Sequence, residues 1–417
     1  MAKISKIISR EIIDSRGNPT IEAMVWLDDN SVGIYSTPSG LSVGKHEAVE
    51  LRDNDPKRYE GKGVLNNLVN IGKIIAPAIL GKDAHNQQDI DKTLITLDGT
   101  DNKSKLGANT ILAVSGAVMK AQAISLKIPL YQYVAKAYGI NSNEFNIPTP
   151  MFNILNGGQH GGGNLDFQEF MVVFPQANTY SLNLKTGIEI YYALKNTIMT
   201  HSAGFLLGDE GGYAPTLFSN LDAFKLLEEA ISQAGYSLGL DVFFSIDAAA
   251  TNFKKGGAYK IKDRPVALNA NDFIDYYVSL NEQFHFLSIE DPLAEDDWDD
   301  WKIIYEKLGK NIQIVGDDLI TTNLGRLNKA ISAKVCNAVV IKPNQVGTIT
   351  ETFEVIKKAR EANFKIIVSH RSGETNDDFI ADFAVGIGAD YVKFGAPARG
   401  ERVAKYNRLL EIEHDLS

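Results

Sequence analysis

Apolar and polar residues follow two different rhythms along the chain, and the change between them divides it. Over residues 4–36, short β-branched runs are broken by the polar stretches DSRGNP and DDNS, which predicts a strand meander. Helical spacing follows. Ile111, Val114, Val118 and Ala121 recur at intervals of three and four, on one helix face, and the small residues around them predict a helix buried on most sides. A polar, proline-containing stretch, GINSNEFNIPTP at 139–150, reads as a linker. The predicted units are an N-terminal α+β domain, residues 1–138, and a C-terminal domain, residues 139–417.

Past the linker, short apolar runs each end in a polar or charged residue: VFFSID at Asp247, FLSIE at Glu290, IQIVGD at Asp317, AVVIK at Lys342, KIIVSH at His370 and DYVK at Lys393. From Glu290 onward the intervals are 27, 25, 28 and 23 residues, the length of a strand plus a returning helix. Intervening segments such as ITETFEVIKKAREA (349–362) read as helices. Repeated βα units imply parallel strands with right-handed crossovers. Near-continuous apolar strands imply burial on both faces. Closure into a barrel is the economical arrangement, and the pattern alone also fits an open sheet.

Composition narrows the function classes. With one cysteine, Cys336, in 417 residues, no intrachain disulfide can form, which fits a reducing compartment. A net charge of −10 argues against nucleic acid as the main partner but leaves a small anionic substrate open. The start, MAKISKIISR, lacks the apolar core of a signal peptide, and no apolar run reaches the roughly 18–20 residues of a membrane span. The expected location is the cytoplasm.

In a barrel, residues at the C-terminal strand ends converge on one mouth. Asp247, Glu290 and Asp317 would form a compact anionic site there, costly without a cation. Oxygen ligands with no cysteine and no short histidine pair point to Mg²⁺ or Mn²⁺. Each acid taken singly is as well explained by a strand-end turn or a helix cap; the three in phase are not. Lys342 and Lys393 close later strands on the same rim, either as a base among cations or as ion partners for the acids. Gly-flanked loops carry Glu210 (GDEGGYAP) and His160 and Glu169 (NGGQHGGGNLDFQEF), and HRSGET offers Arg371 and Ser372, a fork and a hydroxyl suited to phosphate. Other matches fail. GLSVGKH has the wrong spacing for a P-loop, HEAVE lacks a second histidine, and EDPLAEDDWDD reads as a solvated helix start with only its first Glu in phase.

At these residues the sequence closely resembles the enolase family, nearly end to end. DSRGNPT (14–20), ELRDND (50–55), NGGQH (156–160), QEF (168–170), GDEGG (208–212), SIEDP (288–292), GDDL (316–319), SHRSGET (369–375) and GAPARGER (395–402) occur in the family's order. The resemblance implies an N-terminal α+β domain followed by a TIM-like (β/α)8 barrel whose first strands are antiparallel. It implies the glycolytic, reversible dehydration of 2-phosphoglycerate to phosphoenolpyruvate by a homodimeric or larger assembly. By position, Asp247, Glu290 and Asp317 resemble the ligands of a first Mg²⁺. Ser42 resembles the residue that joins a second, which arrives with substrate. Lys342 resembles the C2 base, Glu210 aided by Glu169 the acid for water loss, and Lys393 the contact to the substrate carboxylate. Gln168, His160 and His370 resemble pocket residues, and Arg371 and Ser372 the phosphate clamp.

The chain departs from the family pattern in three places. Leu41 and Val43 flank Ser42 where the mobile loop has Ala and Thr. Gly161 replaces an Ala after His160, which predicts a more mobile loop. Glu411 stands where a C-terminal Arg pairs with acids across the dimer, positions that look like Glu22 and Glu189 here, so like charges would meet unless Arg408 substitutes. Two rival functions remain. Another dehydratase of the superfamily would be expected to carry a Lys-x-Lys pair where this chain reads DFQEFMVV. A non-catalytic scaffold or surface-binding protein would not need Lys342, Glu210 and the three acids intact.

Overall fold

A computed structural model describes residues 2–41, 44–140, 144–163, 165–204 and 206–417. Strands β1 (Ile4–Ile13), β2 (Pro19–Leu27) and β3 (Val32–Ser36) form the predicted antiparallel meander. Asp14 closes the first turn, its Oδ1 accepting the amides of Arg16 and Asn18, both at 2.9 Å. Ile21, Ala23, Val25 and Leu27 alternate along β2 and are buried, and the sheet packs on the helix Ala108–Leu126. That helix is enclosed along most of its length, as its small residues predict. Close approach depends on Gly33, where a Cβ would lie 2.1 Å from the Ala117 carbonyl oxygen.

The larger unit contains strands β4 (Thr149–Asn156), β5 (Glu169–Val173), β6 (Phe243–Asp247), a small outlying hairpin of β7 (Lys254–Lys255) and β8 (Ala258–Tyr259), then β9 (Phe286–Glu290), β10 (Gln313–Gly316), β11 (Ala338–Ile341), β12 (Lys365–Ser369) and β13 (Tyr391–Lys393). Eight of these close a barrel in the order β4-β5-β6-β9-β10-β11-β12-β13. Strand β5 is antiparallel to β4 and β6, and the remaining pairs are parallel. The barrel is therefore closed, with antiparallel first strands. Met151, Met171, Val340, Ile367 and Tyr391 fill the interior, while Val339, Ile341 and Ile366 pack outward under the helices. This two-sided burial explains the continuous apolar runs. Among the described residues, no single helix is long and apolar enough to cross a membrane.

The N-terminal unit is fastened over the barrel mouth. Ser39 and Gly373 exchange backbone hydrogen bonds of 2.8 and 2.9 Å. Asp91, fully buried, accepts the Thr350 amide at 2.9 Å and its hydroxyl at 2.7 Å, capping the barrel helix Ile349–Glu361 from the other unit. Burial pushes the Asp91 carboxyl up to about 6. At the C-terminus, Arg408 is committed to Asp382, by bonds of 2.7 and 2.8 Å, and to Glu411 at 3.1 Å. Glu22 pairs with Arg10 at 2.6 Å and Glu189 with Lys185 at 3.0 Å.

Candidate active site

The strand ends deliver their side chains as the rhythm predicts. Asp247, Glu290 and Lys393 are the last residues of β6, β9 and β13, and Asp317, Lys342 and His370 follow the last residues of β10, β11 and β12. Glu169 reaches the same rim by the opposite route. Because β5 runs backwards, its first residue pairs with Asn156 and Asp247, the last residues of its neighbours. Except for Glu290, these groups line one cavity together with His160, Gln168, Glu210, Arg371 and Ser372. Glu290 is joined to that lining through Lys393. Ser42 and Val43 lie outside the described residues.

The cavity has two unlike walls. On one, around β4 and β5, Glu210 is buried with its Oε2 accepting the Asn153 amide at 2.8 Å. His160 Nδ1 and His370 Nε2 each stand 3.3 Å from its Oε1. Neither contact is aligned as a hydrogen bond, and both His160 ring nitrogens lack a partner. Burial works to raise the Glu210 carboxyl, but the two histidines and Arg402 outweigh it and hold it well below the usual range. Glu169 is pushed well above that range by burial and by the charge of Glu210. Of the adjacent pair, Glu169 is therefore the carboxyl more disposed to hold a proton.

The other wall lies across the ring, since β11 stands four places from β5 in the closed sheet of eight. There Lys342 Nζ bonds Asp317 Oδ2, and Gln345 donates to Asp317 Oδ1 at 3.1 Å. Burial opposes the Lys342 charge, yet Asp317 raises its pKa. The carboxyl of Asp317, which burial alone would raise, is pulled down to about 2 by Lys342 and Lys393. Between the walls, Lys393 Nζ sits 2.7 Å from Glu290, 3.2 Å from Glu169 and 3.6 Å from Asp247. Arg371 is held by Glu47 of the N-terminal unit at 2.7 Å and by Asn344 at 3.1 Å. Arg16 donates to the Ser372 hydroxyl at 3.1 Å.

The donor set fits a hard cation. The rim acids outnumber the neighbouring bases, and every acid donor is oxygen. Glu290 Oε2 is buried without a partner, and burial together with Asp247 and Asp317 pushes its carboxyl well up despite Lys393. Among the described residues, two groups each bring their ligand atoms within 4.8 Å, His160–Glu169–Glu210 and Asp291–Asp317–Asp318. The trio Asp247, Glu290 and Asp317 lines adjacent strand ends, but here the two lysine ammonium groups bond its members and supply the countercharge.

Several site residues escaped the sequence reading. Asp291, read as part of a solvated acidic run, is buried and accepts the amides of Asp317 and Asp318 at 3.0 and 2.7 Å. Its signals were adjacency to Glu290 and its place in the motif SIEDP. Glu47, inside the dismissed HEAVE, is the buried partner of Arg371. Asn153 was visible as a polar residue in the apolar run MFNIL. Gly161 also has a packing role, because a Cβ there would lie 2.2 Å from the Asn156 carbonyl oxygen.

A capped barrel whose single antiparallel strand brings an extra acid to a rim of oxygen ligands and lysines suits acid–base chemistry beside a hard cation. Residues 4–134 match the family model described as the enolase N-terminal domain, and residues 144–417 the one described as the enolase C-terminal TIM barrel domain. The chain belongs to the enolase family, which supports a lyase or dehydratase function of that superfamily and a metal held by the acidic clusters.

Proposed function

We propose that the protein is an enolase in activity, a Mg²⁺-dependent enzyme that interconverts 2-phosphoglycerate and phosphoenolpyruvate. The observation that carries this reading is the placement of Lys342 across the cavity from the Glu169–Glu210 pair, with Arg371 and Ser372 beside it. Asp247, Glu290 and Asp317 would hold the first Mg²⁺. Bound there, Mg²⁺ supplies positive charge to the substrate carboxylate and the developing dianion.

Lys342 Nζ takes the C2 proton. Burial, Arg371 and Lys393 oppose its charged form and Asp317 favours it, so a cation held by Asp317 would weaken that support. Lys393 faces the substrate carboxylate. Arg371, preorganised by Glu47 and Asn344, and Ser372 receive the phosphate. On the other wall the single proton of the Glu169–Glu210 pair goes to the C3 hydroxyl, which departs as water. Acid–base help of this kind supplies about 3–5 kcal/mol, and preorganised charge must provide most of the remaining barrier reduction. The test is phosphoenolpyruvate absorbance from 2-phosphoglycerate as Mg²⁺ is titrated. Turnover that rises with Mg²⁺ and vanishes with chelator is expected; folded protein that leaves the substrate unchanged at every Mg²⁺ level would overturn the reading.

A further inference from the structure

Arg402 contacts neither the cavity nor solvent. It lies in the first turn of the helix Gly400–Leu416 and is 0% exposed. Its Nη1 stands 2.7 Å from His370 Nδ1 and 2.7 Å from the Arg371 carbonyl oxygen. Its Nη2 donates to the Ser372 carbonyl at 2.7 Å and to that of Asp209 at 3.3 Å. One guanidinium thus ties together the phosphate-clamp loop, the loop carrying Glu210 and a cavity histidine. Gly395 leaves room for the arrangement, since a Cβ there would lie 3.1 Å from both Arg402 Cδ and His370 Cε1.

A guanidinium donates and never accepts. His370 Nδ1 must therefore be the acceptor and carry no proton. The ring's one proton is left on Nε2, on the side facing Glu210 Oε1 at 3.3 Å. A second proton would set an N–H against the cationic N–H of Arg402. We propose that Arg402 is a positioning residue that locks His370 as a neutral Nε2–H tautomer, leaving its one ring proton on the side that faces Glu210 and the departing oxygen and barring the ring from carrying a second. The charged groups around the ring are Glu210, Arg402 and Glu374, and burial pushes its pKa down to about 4, in the same direction. His160 is the contrast: among the described residues both its ring nitrogens lack a hydrogen-bond partner, whereas His370 lacks one at Nε2 alone.

The catalytic consequence rests on the proposed dehydration; the lock itself does not. The test is ¹⁵N-imidazole NMR of the full-length protein without substrate, with His370 assigned by loss of its signals in His370→Gln. In the unmodified protein we expect Nδ1 bare and Nε2 protonated from about pH 5.5 to 8.5. Arg402→Met should let the ring sample both tautomers and titrate nearer its ordinary value of about 6.5. It should also lower kcat on 2-phosphoglycerate by about 10–100-fold with a smaller change in KM, and Arg402→Lys should restore part of the loss. A protonated Nδ1 or an ordinary titration in the unmodified protein overturns the proposal, whether or not the variants fold. So does an Arg402→Met protein that keeps the locked ring, even if its activity falls. A locked ring in a protein inactive on 2-phosphoglycerate would sink the proposed reaction and leave the lock standing.

Discussion

The two walls of the cavity hold their charges by different means. Around β11, Lys342 and Asp317 form a direct ion pair, so the protonation of each depends on the other. Around β4 and β5, Glu210 has the Asn153 amide on one oxygen and two histidines 3.3 Å from the other, one of them held by Arg402. A cation competing for Asp317 would act on the first wall. The second couples two carboxyls, Glu210 held low and Glu169 raised by burial and by the charge of Glu210. An elimination needs both, a base whose proton affinity can be lowered and an acid whose proton waits in place.

The largest expected effect comes from removing the responsive wall. Lys342→Ala should abolish dehydration and C2 proton exchange together, a loss of about 10⁴-fold or more, read by phosphoenolpyruvate formation and by deuterium incorporation. Asn153→Ala should act on the other wall alone. It leaves Glu210 Oε2 unpartnered, and dehydration should fall by about 10–100-fold while C2 exchange falls less. Gly161→Ala restores the family's usual residue and should still be harmful. The added Cβ has no room beside Asn156, so thermal denaturation should show a loss of about 1–3 kcal/mol with weakened turnover. The smallest effect on turnover should come from Glu411→Arg, far from both walls. We propose a dimer weakened at this contact; sedimentation should show tighter association for the variant and unchanged kcat. A dimer already intact at nanomolar concentration and indifferent to the substitution would contradict this.

Much of the barrel was legible because its strands are buried on both faces and write continuous apolar runs ending at the rim. That logic assumes every strand points the same way, and β5 does not. Its rim residue, Glu169, opens the run EFMVV instead of closing it, so the rhythm missed its role, and a loop motif was its remaining signal. Glu47 and Arg402 were illegible for another reason. Each acts through a partner far away in sequence, Arg371 and His370, and local pattern carries no record of such pairings. Asp291 was lost among neighbouring acids that do face solvent. The close seat of Gly161 likewise depends on the Asn156 backbone folding back against it.

The division of labour between the walls is tested most directly by Glu210→Gln. C2 deuterium exchange and phosphoenolpyruvate formation are followed side by side with saturating Mg²⁺, against the unmodified enzyme. Dehydration should drop by about 10²–10⁴-fold while exchange at C2 stays measurable, because Lys342 still takes the proton. Loss of both activities in a variant that remains folded and still binds the metal would show that the two walls do not act separately.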